Sequence, residues 1–235
     1  MMGVAVALVA VVLGAAPAPT PPSLVDLGAP PCPTTVAHCY GLRIHLAGEA
    51  PLADDAAFVK TQLERANGLF AQIDTGFEVA SADRLDASDS DGSIETREER
   101  DALGHRRWTR GVVDVYIVNR LYDVDKGRDE MGELTEIRGV HWRDRAAREH
   151  RWVILWRGSP AHVMAHELGH FFSLPHGTDP ASIMNKSPRS DPPPEQRGFV
   201  PAELDKMRAA ERRMRKSGFL RERKPVAAKP EEERK

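Results

Sequence analysis

The stretch 166-HELGHFFSLPH-176 constrains this chain more than any other. Its first half has to be helical for its polar residues to act together, and its second half cannot be. His166 and His170 are four residues apart, which on an α-helix puts both imidazoles on one face, about one turn apart. Two neutral imidazoles at that spacing can chelate one Zn²⁺. Glu167 follows the first histidine and points to the flank of such an ion, so it is placed to take a proton from water rather than to ligate. His176 comes six residues after His170, where a continued helix would carry it away. Pro175 disfavours helix at Leu174, so the chain turns there and His176 can swing back as the third ligand of a site with one open position.

The competing reading is a surface helix with solvated histidines. From this chain's composition, H-E-x-x-H arises by chance at roughly two or three in a hundred, and His176 at its offset brings that to on the order of one in a thousand. The metal reading is therefore favoured. His162, four residues before His166, shares its helix face. A His162/His166 pair would leave Glu167 and His176 without roles, so His162 is expected beside the ligands or in the groove. His38, His45, His105, His141 and His150 are scattered, and a structural role is the default for each.

The chain has 235 residues, enough for one domain with extensions. Lys and Arg number 33 against 35 Asp and Glu, a balance that gives no nucleic-acid footprint. Met1 to Leu13 is an uninterrupted apolar run, and Ala16-Pro17-Ala18 fits an A-x-A cleavage site. Residues 1–18 therefore read as a signal peptide, although the run lacks a Lys or Arg before it, and the protein is expected to be exported, secreted or periplasmic. The alternative is tethering to a membrane by an uncleaved N-terminus. Residues 19–39 read as a proline-rich linker. Cys32 and Cys39 enclose six residues and read as one disulfide closing a short loop in an exported chain. Two free thiols, or a cysteine capping a metal in a latent form, are the alternatives.

Residues 40–218 carry the folded pattern, and residues 219–235 read as a charged, disordered tail. Strands are expected at 41–47, 76–82, 111–119, 139–142 and 151–156, and helices at 51–73 and 94–107. Ser159 and Pro160 look like the N-cap and first position of the helix that carries the opening motif. Pro201 to Lys216 is amphipathic. The order implies an α+β domain, a mixed twisted sheet packed on two long helices with an active-site helix and a small C-terminal subdomain. The acidic 89-DSDG-92 lacks the ligand run of a calcium loop and reads as a solvated turn.

With these residues in view, the sequence resembles the metzincin clan of zinc endopeptidases, whose signature is H-E-x-x-H-x-x-G-x-x-H followed by a methionine turn. His166, Glu167, His170 and His176 match the ligand and base positions, and 182-SIMN-185 matches the turn, which would put Met184 beneath the metal as an apolar floor. Ser173 stands where the clan has glycine. Lys186 stands where some families have a metal-facing tyrosine, so that role is not carried over. The general look is of a small bacterial exported protease of matrixin-like type. The resemblance implies a metzincin-like fold over residues 40–218, Zn²⁺ as cofactor and a protein or peptide substrate paired with the strand at 139–142. The alternatives are a non-catalytic zinc-binding peptide-recognition module or another zinc-dependent amide hydrolase. The protein is expected to act as a monomer without nucleic acid and, if the signal is cleaved, without stable membrane association.

Overall fold

A computed structural model of the protein describes residues 23–105, 107–126, 130–187 and 191–223. The expected signal peptide at 1–18 and residues 224–235 of the expected tail lie outside the described residues. Among those described, no helix is long and apolar enough to cross a membrane.

Among the described residues, eight strands and four α-helices follow one another as β1 (Ser23–Leu24), β2 (His38–Leu46), α1 (Leu52–Phe70), β3 (Thr75–Arg84), β4 (Ser93–Ile94), α2 (Arg97–His105), β5 (Val113–Val118), β6 (Arg120–Leu121), β7 (Gly139–Arg143), β8 (Arg151–Trp156), α3 (Val163–Phe171) and α4 (Pro201–Lys216). Six strands form one mixed sheet in the order β1-β3-β2-β5-β8-β7. Its centre is parallel: β3 with β2, β2 with β5, and β5 with β8. Only the outer pairs, β1 with β3 and β7 with β8, are antiparallel. The sequence accounts for this arrangement. Every position of β5 is buried, as are four of six in β8, because parallel strands are covered on both faces and need apolar residues throughout.

One face carries α1, α3 and α4. Phe70 at the end of α1 meets Phe77, Phe172 and Phe199 edge-on, with centroids 5.0, 5.3 and 5.2 Å apart. Each such pair adds about 0.5–1.5 kcal/mol beyond the area it buries. These rings fasten α1 to the end of α3 and to the segment before α4. The other face is covered by α2, with Leu103, Tyr116, Trp142 and Trp152 in a second apolar cluster.

The fold begins earlier than expected and ends later. Residues 23–39, expected as linker, add β1 to the sheet and bury Leu27 in the core. Cys32 and Cys39 are disulfide-bonded, with Cα atoms 6.1 Å apart. Residues 219–223, expected as tail, bury Phe219 and Leu220, and Arg223 pairs with Glu78 of β3. Pro-rich and charged composition suggested solvated chain, but a few apolar residues in each segment find sheet edges to cover.

Candidate metal centre

The helix that carries the motif starts three residues later than expected. Val163 is its first residue, and Ser159 does not cap it; the Ser159 hydroxyl donates instead to the Arg138 carbonyl. The cap comes from another element. Gln62, buried on α1, accepts from the Met164 N–H at 2.9 Å and donates to the carbonyls of Pro160 at 2.8 Å and Ser159 at 3.2 Å. One side chain thus satisfies an orphan donor of α3 and fixes the chain entering it. Arg157, just after β8, pairs with the fully buried Asp55 of α1 at 2.6 Å and ties the same junction to the sheet.

At its other end α3 stops in a Schellman turn. The Ser173 N–H bonds to the His170 carbonyl at 2.9 Å and the Leu174 N–H to the Gly169 carbonyl at 3.0 Å. Ser173 takes the left-handed conformation, φ 74°, that this turn requires and that glycine normally supplies. The turn brings the Leu174 carbonyl back over the helix, where the Nδ1 of His170 donates to it at 2.7 Å. The chain then reverses, and the His176 Nε2 lies 3.1 Å from that of His170.

His166, His170 and His176 come together, with one ligating atom from each within 4.8 Å of the others. Among the described residues they are the only group of three or more His, Cys, Asp or Glu side chains placed to share an ion. The donor chemistry fits a metal. The Nδ1 of His166 donates to the Ile183 carbonyl at 2.7 Å and that of His170 to Leu174, so both rings aim an unprotonated Nε2 inward. Burial pushes the pKa of His166 and His176 down to about 4 and also lowers that of His170. All three are therefore neutral at pH 7, the form that ligates. The His176 Nε2, 3.1 Å from that of His170, completes a set of three nitrogens that can face one ion. Lys186 is exposed, and its charge further disfavours protonation of His170 and His176.

Glu167 is buried beside the cluster. Desolvation raises its pKa to about 8, against the backbone N–H of His141 and the more distant Arg100, which favour the carboxylate. Its Oε2 has no hydrogen-bond partner. The carboxylate reaches β7 only because Gly139 has no side chain: a Cβ there would lie 2.6 Å from Val163 Cγ1, 3.0 Å from Glu167 Cγ and 3.1 Å from its Oε1. Glu167 is thus clamped against the last strand of the sheet.

Met184 is fully buried under α3. Gly169 allows this, since a Cβ at that position would lie 2.7 Å from Met184 Sδ. The turn around Met184 is held by residues that the motif does not name. The buried Ser182 hydroxyl donates to Glu203 of α4 at 2.6 Å and accepts from the Met184 N–H at 2.9 Å. The same turn presents the Ile183 carbonyl to His166, so α4 orients that imidazole through two intermediates. Nothing in the sequence spacing pointed to Glu203, Ser182, Gln62 or Gly139. His162, expected beside the three histidines, stands at the residue before α3 with a buried, unpartnered Nδ1 and makes no side-chain cap bond.

No protein-family model matches the sequence, and no curated protein matches it. Among solved structures, the chain is similar to metalloproteinase-II from Bacteroides fragilis, with 12% identity over 76% of this chain and 55% of that one, at a TM-score of 0.49. It is also similar to archaemetzincin from Methanopyrus kandleri, with 15% identity over 74% of this chain and 96% of that one, at a TM-score of 0.48. The chain thus spans about half the length of the first of these.

Proposed function

We propose that the protein is an exported zinc-dependent endopeptidase of metzincin-like type. One observation carries this reading: three neutral imidazoles converge while a buried carboxylate with a free oxygen is held beside them. His166, His170 and His176 would hold the ion, which when bound supplies Lewis acidity for a scissile carbonyl and lowers the pKa of water toward 7. Glu167 takes the proton from the attacking water on its carboxylate and later delivers it to the leaving amine nitrogen. The Gly139 gap and the His141 N–H keep that carboxylate in place. A cation held by the three imidazoles would favour its ionised form and offset the upward push of burial. The last strand, β7, takes an extended peptide by strand addition. The disulfide between Cys32 and Cys39 supports an oxidising compartment and so export.

Metal analysis paired with cleavage of a mixed peptide library tests this reading. Wild type and Glu167→Ala should hold equal zinc, and the variant should lose cleavage by about 10²–10⁴-fold. Cleavage that survives complete zinc removal, or an alanine variant as fast as wild type, would sink the mechanism. Zinc-loaded protein that binds peptides without cutting them would make it a recognition module.

A further inference from the structure

Arg151, at the start of β8, is a half-buried cation with no acid beside it. Its guanidinium lies over the rings of Phe171 and Phe219, 4.6 and 4.3 Å from their centroids. Its Nε is shielded from solvent and has no hydrogen-bond partner. Burial and the neighbouring charge of Arg143 lower its pKa to about 10, so it remains charged at neutral pH. Arg143 is its direct cross-strand partner in the β7–β8 ladder, which sets two like charges in register, an arrangement that weakens a sheet. A buried guanidinium without a counter-charge is costly, and this one has none from the described residues.

The side chain borders a cavity of about 290 Å³ whose lining also includes Arg213 and Ser217 of the α4 end and Ser173 of the Schellman turn. Arg213 is exposed and has no acid partner either, whereas its neighbour Arg215 is bound to Glu211 at 2.7 Å. The Ser173 hydroxyl makes no hydrogen bond to the described residues, although the residue holds a strained φ of 74° to stand there. Strain kept at a position where glycine would be relaxed points to a use for the side chain. The Arg151 guanidinium, held against the two phenyl rings, lines this cavity, and a guanidinium can take an oxyanion through two parallel hydrogen bonds.

We propose that this cavity binds a phosphate-class oxyanion, held between the guanidinium edges of Arg151 and Arg213 with the Ser173 hydroxyl as a further donor. A lining with two guanidinium groups and two hydroxyls suits an anion with three or four acceptor oxygens better than a carboxylate with two. The site is separate from the histidine cluster but near it: the His141 ring stacks toward His170 at 6.5 Å between centroids and also feels the charge of Arg151. The inference does not depend on the protease reading.

Calorimetric titration of the full chain with inorganic phosphate, and separately with succinate, tests it. Wild type should bind phosphate saturably with a dissociation constant of about 1 mM or tighter. Arg151→Met and Arg213→Ala should each weaken binding about tenfold, the worth of one charge-assisted hydrogen bond. Arg212→Ala, an exposed charge outside the lining, should change nothing. Ser173→Gly should weaken binding by a smaller factor without lowering the melting temperature, a pairing that loss of fold would not produce. Arg213 is exposed, so its variant stays decisive even if Arg151→Met does not fold. Absence of saturable binding, equal affinity in Arg213→Ala and wild type (as for phosphate taken up at the histidine cluster), or succinate bound more tightly than phosphate would each overturn the proposal.

Discussion

Replacing Ser173 with glycine removes a side chain from the left-handed residue on which the approach of His176 to His170 depends. At φ 74° the serine Cβ crowds the backbone, at a cost of about 1–2 kcal/mol. Glycine relieves that cost, but its greater freedom in the unfolded chain offsets about 0.4–1 kcal/mol. The net gain is about 0.5–1 kcal/mol, which in a domain of this size raises the melting temperature by about 1–4 °C. Alanine carries the same backbone strain and should stay within about 0.5 kcal/mol of serine. Valine, branched at Cβ, should lose about 1 kcal/mol or more. Thermal unfolding of the three variants with a chelator present holds any contribution of bound metal constant. The ordering glycine above serine and alanine, with valine last, is the expected result. Were glycine no more stable than serine while valine was tolerated, Ser173 would not close the helix in a left-handed turn, and the route that returns His176 to His170 would have to be different.

Three further outcomes follow from the contacts around the site. Gly139→Ala drives a Cβ into Val163 and Glu167 and should cut peptide kcat/KM at least about tenfold at unchanged zinc content, since a displaced base loses its alignment; an unaltered kcat/KM would show that Glu167 does not need that gap. Gln62→Ala removes the cap of α3 and leaves a buried N–H and two carbonyls without partners, so denaturant unfolding should report a loss of about 1–3 kcal/mol; a loss within error of zero would remove Gln62 as the cap. His45 is buried between Asp83 at 2.7 Å and Asp114 at 3.1 Å, with Arg43 and Arg107 on the same aspartates. Burial opposes charge on that ring, but the hydrogen bonds to Asp114 and Asp83 outweigh it and raise its pKa above the usual 6.5. The stability it contributes is therefore complete below the unfolded-state pKa and is lost as pH rises through the folded-state value. Urea unfolding of wild type against His45→Gln across that range should show the wild-type advantage shrinking as pH rises, and a constant difference would rule out a charged His45.

The motif stated its own chemistry because helix geometry is local. A four-residue spacing puts His166 and His170 on one face whatever surrounds them, and Pro175 stops the helix by sterics alone. The strands β5 and β8 were legible for a similar reason, since burial on both faces demands an unbroken apolar run. Ser159 misled because a serine before a proline looks the same in sequence whether its hydroxyl caps a helix or reaches a distant carbonyl. The choice was made by Gln62, about a hundred residues earlier and brought there only by the packing of α1 on α3. Segments 23–39 and 219–223 misled because a few apolar residues fold only where a sheet edge already exists to receive them. The sequence by itself determined which residues can ligate, where the helix must break and which strands are central, all of which depend on spacing or composition within one turn or one strand. Only the tertiary structure decided what aims the imidazoles and clamps the Glu167 carboxylate: Ile183 and Leu174 carbonyls on two rings, Glu203 through Ser182 on the turn around Met184, and the missing side chain of Gly139 against Glu167. Hydrogen bonds and close approaches between distant elements leave no period in a chain, because they are set by how sheets and helices pack.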